Sequence, residues 1–199
     1  LRRRGGDEGD VVIDEVPHET VQGPAGKDYG IYFHALMEHG AFDGLSSGSP
    51  EALKLARTLA FQQGLGEDAV VLALESSQRV LGAPLKIEAI HLPLGLASLT
   101  ELAKEWEFLY PVPGGSLMKG IADLVFRYEG KAYVLDWKTD TVDTKDLRER
   151  VDGHYAEQAK IYSLALARHL GFHDEVSYEK GFGGALYVFV RHPLDVGVV

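Results

Sequence analysis

Apolar and polar positions change their period several times along the chain, and each change marks an element. Over residues 29–41 the run YGIYFHALMEHGA crowds Ile31, Phe33, His34, Leu36 and Met37 onto one side at helical spacing, with Gly40 as the stop. Ser49-Pro50-Glu51 has the order of an N-cap, a first-turn proline and an acidic first turn, and it opens a helix running to about Gln63. A third helix is predicted over 68–81. The spacing then shortens: residues 104–110 (KEWEFLY) read as a strand stopped by Pro111 and Pro113. Two β-rich runs, 120–128 and 131–138, flank Glu129-Gly130, a two-residue turn. Residues 142–152 are polar, an exposed loop or short helix. Residues 155–170 return to helical spacing, with Arg168 and His169 in the last turn and Gly171 after it. The last strand, 184–191, is apolar on both faces and is expected in the interior of the sheet.

This order predicts an α/β chain built on a mixed β-sheet flanked by helices, with antiparallel pairing in the hairpin and a helical crossover to the final strand. One domain is expected over 29–199, with a helical insert at about 45–100, after a loosely ordered segment 1–28. Both faces of the hairpin are expected to be covered, with Ala122, Leu124 and Phe126 on one and Ile121 and Val125 on the other.

The hairpin also carries the chemistry. If Tyr128 pairs with Lys131, counting back along both strands sets Asp123 directly opposite Asp136. Opposed residues point to one face with Cβ atoms about 4.5–5.5 Å apart, so the two carboxylates repel unless a cation sits between them. Side chains alternate along a strand, which returns Lys138 to the face of Asp136 and sends Trp137 to the other. Two carboxylates beside an amine suit a hard, oxygen-liganded ion such as Mg²⁺, with substrate phosphate completing its shell.

Composition narrows the field. With no cysteine in 199 residues, disulfides, thiolate zinc sites and iron–sulfur clusters are excluded within this segment. A formal net charge of -10 argues against a free-standing, non-specific DNA binder, so nucleic acid would have to be delivered by other domains. Leu1 is not an initiator methionine, and the segment reads as a piece of a longer chain. No run reaches the roughly 18 apolar residues of a membrane helix, and a soluble, cytoplasmic protein is expected. His39, His154, His169 and His173 lack ligand spacing and read as surface residues.

Six segments together resemble a known family. G-I-A-D-L at 120–124 and L-D-W-K-T at 135–139 are similar to the core of the PD-(D/E)XK nucleases, specifically the RecB nuclease family. In the same order come G-I-Y-F-H-A-L-M-E at 30–38, E-W-E-F at 105–108, Y-A-E-Q-A-K-I-Y at 155–162 and F-G-G-A-L-Y-V-F-V-R at 182–191. The ending is particularly like the C-terminal nuclease domain of the RecB (exodeoxyribonuclease V beta) subunit. The resemblance implies that His34, Asp123 and Asp136 ligate Mg²⁺, which Mn²⁺ can replace, with the Trp137 backbone carbonyl as a further ligand and Glu107 as a candidate second-metal carboxylate. It further implies catalytic roles for Asp123, Asp136, Lys138, Gln158 and Tyr162, with Tyr155 one turn earlier on the same side. Trp137 stands where tyrosine is common, and Asp140 where asparagine often follows.

The implied activity is metal-dependent hydrolysis of DNA, single-stranded DNA in particular, as the nuclease module of a RecBCD-like helicase–nuclease in end processing and recombinational repair. Its partners would be a helicase domain on the parent chain and RecC/RecD-like subunits. ATP would be used there, since no G-x-x-x-x-G-K-[ST] loop occurs here. The alternative is a catalytically silent fold that binds DNA or a partner protein, which would typically have lost an acid or the lysine. A restriction-type or junction-resolving enzyme is not expected to carry the His34 and 155–162 segments, and the absent cysteines exclude an iron–sulfur relative.

Overall fold

The structure, a computed structural model, describes residues 23–87, 90–111 and 115–192. The expected loose segment therefore lies mostly outside the described residues, as does Pro113. The first helix, α1 (Lys27–His39), begins two residues before the predicted start and ends on Gly40, whose N–H donates to Leu36 O at 2.9 Å. It is followed by α2 (Phe42–Ser47), α3 (Pro50–Gln62) and α4 (Glu67–Gly82). In α3 the Ser49 hydroxyl accepts from Ala52 N at 3.1 Å with Pro50 at the first turn, as its sequence dictates. A two-stranded ribbon, β1 (Leu85–Ile87) and β2 (Ile90–Leu92), then leads to the main sheet.

That sheet contains β3 (Leu102–Pro111), β4 (Leu117–Tyr128), β5 (Lys131–Lys138) and β6 (Phe182–Phe189) in the order β3-β4-β5-β6. The first three strands are antiparallel, and β6 runs parallel to β5. The crossover holds α5 (Leu147–Arg150), a π-helical turn at Val151–Tyr155, α6 (Ala156–His169) and α7 (Glu175–Gly181). An Asp174/Ser177 capping box opens α7, whose short polar sequence gives no strong period to read.

The β4–β5 turn and register follow the sequence reading as far as Leu124 opposite Leu135, but the expected Asp123–Asp136 pair lies beyond the end of the ladder, where β4 bends away. Glu129 and Gly130 both take positive φ, 49° and 80°, as a type I′ turn requires, and Tyr128 faces Lys131. The last strand corrects its expectation: β6 lies at an edge of the described sheet, not in its interior. Its two apolar faces report covering, not two strand neighbours. Leu186 and Val188 join a core formed with α1 to α4, while Tyr187 and Phe189 pack with Leu147, Val151 and Tyr155. Central β5 is buried throughout residues 132–137.

A second correction concerns β4. Leu124 and Phe126 pack into the core under α1 to α4, but Ala122 packs with Val125, Trp106 and Tyr162 toward α6. Two residues apart on a regular strand share a face, so the alternation breaks at Asp123. Gly120 lies opposite Phe108, whose ring occupies the place of a side chain there: a Cβ on Gly120 would sit 2.2 Å from Phe108 Cζ.

Candidate active site

The β4–β5 ladder runs from the turn to Leu124 opposite Leu135, and Asp123 takes over where it ends. Asp123 Oδ2 accepts the Trp137 N–H at 2.7 Å, substituting a side-chain oxygen for a strand carbonyl. Asp123 Oδ1 is thereby turned toward α1, where His34 Nδ1 lies 3.1 Å away.

A third group enters from β3. The β3–β4 pairing is regular on both sides of Glu105 and Asp123 but skips that pair, and Glu105 has a left-handed φ of 47°. For a residue with a Cβ this conformation is strained by about 1–2 kcal/mol. It separates Lys104, turned toward α1, from Trp106, turned toward α6. Lys104 Nζ donates to Met37 O at 2.8 Å and also to Gly40 O, so it satisfies free carbonyls at the end of α1 and ties that helix to β3. The result is a triplet: one ligand atom each from His34, Glu105 and Asp123 lies within 4.8 Å of the others. Glu107, the carboxylate favoured from sequence, does not join it. It is exposed and held by Lys119 Nζ at 2.8 Å.

Asp136 and Lys138 form the other side of the site. Asp136 is 6% exposed, and its Oδ2 lies 2.6 Å from Lys138 Nζ. From α6, Gln158 Nε2 reaches Asp136 Oδ1 at 3.0 Å and Gln158 Oε1 accepts from Lys138 at 3.3 Å. Tyr162 lies 3.0 Å from Gln158 Nε2 and donates its hydroxyl proton to Ile121 O at 2.6 Å, where β4 has left β5. The i, i+4 pair seen in the sequence thus bridges the acid–amine pair and the splayed strand.

The charges are poorly matched. Burial, then the Asp123 charge, push the Asp136 carboxyl up to about 6, against the pull of Lys138. Burial and the charges of Asp123 and Glu38 raise Glu105 as well. For His34, burial favours the neutral ring, but the hydrogen bond and charge of Asp123, reinforced by Asp136 and Glu105, outweigh it and raise the imidazole. Each of these groups is more easily protonated than usual, the signature of an anionic cluster short of positive charge. An imidazole with two carboxylates at this spacing fits a divalent ion, with Asp136 adjoining.

Missing Glu105 has a simple cause. Alternation puts Glu105 and Glu107 on one face of a regular strand, and the sequence contains nothing that fixes the β3 register. Tyr187 is the other residue not anticipated: its hydroxyl donates to Tyr155 O at 3.1 Å, and its ring stacks on Tyr155 at 5.2 Å.

The chain is similar to known proteins over most of its length. The profile of the PD-(D/E)XK nuclease superfamily matches residues 12–198. The RecBCD enzyme subunit RecB of Borreliella burgdorferi is 25% identical over 205 residues, covering 84% of this chain and 17% of that protein. The subunit of the same name from Escherichia coli is 36% identical over 84 residues, covering 38% of this chain and 7% of its own length. That from Chlamydia pneumoniae is 26% identical over 129 residues, 65% of this chain and 12% of its own. The chain spans less than a fifth of the length of each of these relatives. With a profile match through almost its whole length and a mixed sheet flanked by helices, the chain belongs to the PD-(D/E)XK nuclease superfamily.

Proposed function

We propose that this chain is the nuclease module of a RecBCD-like helicase–nuclease and hydrolyses DNA phosphodiester bonds with Mg²⁺ or Mn²⁺, in the manner of exodeoxyribonuclease V. The observation that carries this reading is the convergence of His34, Glu105 and Asp123 within 4.8 Å of one another beside the buried Asp136–Lys138 pair. His34, Glu105, Asp123 and Asp136, with the Trp137 carbonyl, would hold the ion; when bound, it supplies Lewis-acid stabilisation of the phosphate and an acidified water.

The protein groups divide the remaining work. Asp123 is fixed by the Trp137 N–H and keeps one oxygen toward His34. Lys138, held by Asp136 and Gln158, presents an ammonium donor that offsets charge growing on the phosphate oxygens or orients the attacking water. Gln158 and Tyr162 keep the amine and the strand end in place.

A net charge of -10 fits a module that receives single strands from a helicase rather than capturing duplex by itself. A helicase domain on the parent chain, RecC/RecD-like subunits and a cytoplasmic setting complete the reading. Among the described residues no helix is long and apolar enough to cross a membrane.

The test is cleavage of a labelled single-stranded oligonucleotide by the purified chain in Mg²⁺, in Mn²⁺ and in EDTA. Cutting with either metal and none in chelator is expected. Equal cutting in chelator would remove the metal, and DNA binding without cutting by the full helicase assembly would turn the reading toward a silent fold.

A further inference from the structure

We propose that Tyr155 and Tyr187 form an aromatic clamp that positions the Lys138 ammonium, and that Asp140 latches the clamp. This inference rests on the nuclease reading above and extends it to residues that touch Lys138 rather than the scissile phosphate.

A lysine side chain has four freely rotating bonds, and its amine must be held to serve as a directed donor. Polar contacts supply only part of that restraint here: Asp136 Oδ2 at 2.6 Å and Gln158 Oε1 at 3.3 Å. The rest is aromatic. Lys138 Nζ lies 4.0 Å from the centroid of the Tyr155 ring and 5.3 Å from that of Tyr187, within reach of cation–π attraction to both.

The two rings are themselves fixed. They stack 5.2 Å apart at an interplanar angle of 19°, and Tyr187 is 2% exposed. The Tyr187 hydroxyl donates to Tyr155 O, binding the second ring to the backbone of the first. Tyr155 is the last residue of the π-helical turn, a local irregularity frequent at functional sites. At its outer end the Tyr155 hydroxyl donates to Asp140 Oδ2 at 3.0 Å. Asp140 lies two residues beyond Lys138 in the chain, so the segment that carries the amine also carries the latch for the ring above it.

Two measurements on the purified chain test this. The first is kcat and KM for the oligonucleotide in wild type, Tyr155→Leu, Tyr155→Phe, Asp140→Ala and Lys138→Ala. A misplaced donor costs rate rather than binding: Tyr155→Leu should lose about 10–100-fold in kcat with KM within about twofold. Tyr155→Phe keeps the ring and should recover most of that loss, and Asp140→Ala, a surface change, should lose about 3–10-fold. The second needs no activity. Acylation of the Lys138 amine, followed by mass spectrometry and referenced to exposed Lys54, should be slow in wild type and several-fold faster in Tyr155→Leu, with Tyr155→Phe slow again.

Unchanged kcat in Tyr155→Leu overturns the clamp whether or not labelling accelerates, and so does a Phe variant no better than Leu. An inactive wild type, or a Lys138→Ala variant as fast as wild type, overturns the nuclease reading instead, and the labelling rates then decide the clamp alone.

Discussion

The two sides of the site hold their charged groups differently. Lys138 is held on every side, by Asp136, a bridging glutamine and two aromatic rings, although burial and the Asp123 charge still raise the Asp136 carboxyl. His34, Glu105 and Asp123 are the reverse, two acids and an imidazole drawn together with no lysine or arginine ion-paired to either acid among the described residues. The amine is positioned as folded; the acids around it, Asp136 included, carry more negative charge than their neighbours offset. Preorganisation of the donor and a charge deficit for the ion coexist a few residues apart on one sheet, because β5 is embedded while β4 bends away from it at Asp123.

Removing a member of the charge-deficient side should have the largest effect. Asp123→Ala is expected to abolish cleavage, by about 10³-fold or more, and to erase the rise in melting temperature expected of the wild type in Mn²⁺. Retention of that rise would move the ion away from Asp123. Lys138→Met should lose about 10²–10³-fold in kcat and yet keep the metal-dependent stabilisation, since the two sides are separate in role; loss of both would merge them. Next comes the choice between neighbouring glutamates. Glu105→Gln should weaken Mn²⁺ binding in calorimetry by roughly 10–100-fold, whereas Glu107→Gln, whose partner is Lys119, should stay within about twofold.

The smallest effect is on stability and pH. A carboxyl raised to about 6 in the fold binds protons that the unfolded chain releases nearer 4, so the metal-free domain loses stability as pH rises through that window. Metal-free Asp136→Asn should therefore melt above wild type at pH 7.5, by on the order of 1–3 kcal/mol. The gap should close as pH falls from 6 to 4, and Mn²⁺ should reverse it at pH 7.5. A gap independent of pH would mean that Asp136 is not the strained group.

Much of this was legible in the residues. The type I′ turn at Glu129-Gly130 fixes the register, and period-two alternation then carries Asp136, Trp137 and Lys138 to their observed faces. His34, Gln158 and Tyr162 were reachable through the segments that resemble the nuclease family, and helical spacing sets the last two on one face. What escaped reading depends on long-range geometry. A left-handed Glu105 has no local signature, as Glu is not a residue that favours φ > 0. The edge position of β6 is invisible because its covering by helices imitates an interior strand. Tyr187 reads as one more apolar-strand aromatic until the parallel register sets it opposite Asp136.

Asp123 carries two obligations on one side chain. Its Oδ2 closes the open end of a β-ladder while Oδ1 faces the imidazole. An asparagine there can keep the Trp137 N–H only by presenting its NH₂ to His34, which forces Nδ1 to accept and shifts the ring proton to Nε2. Neutralising this carboxylate therefore rewrites the tautomer of its neighbour, and no isosteric change at residue 123 leaves the architecture and the chemistry independently adjustable.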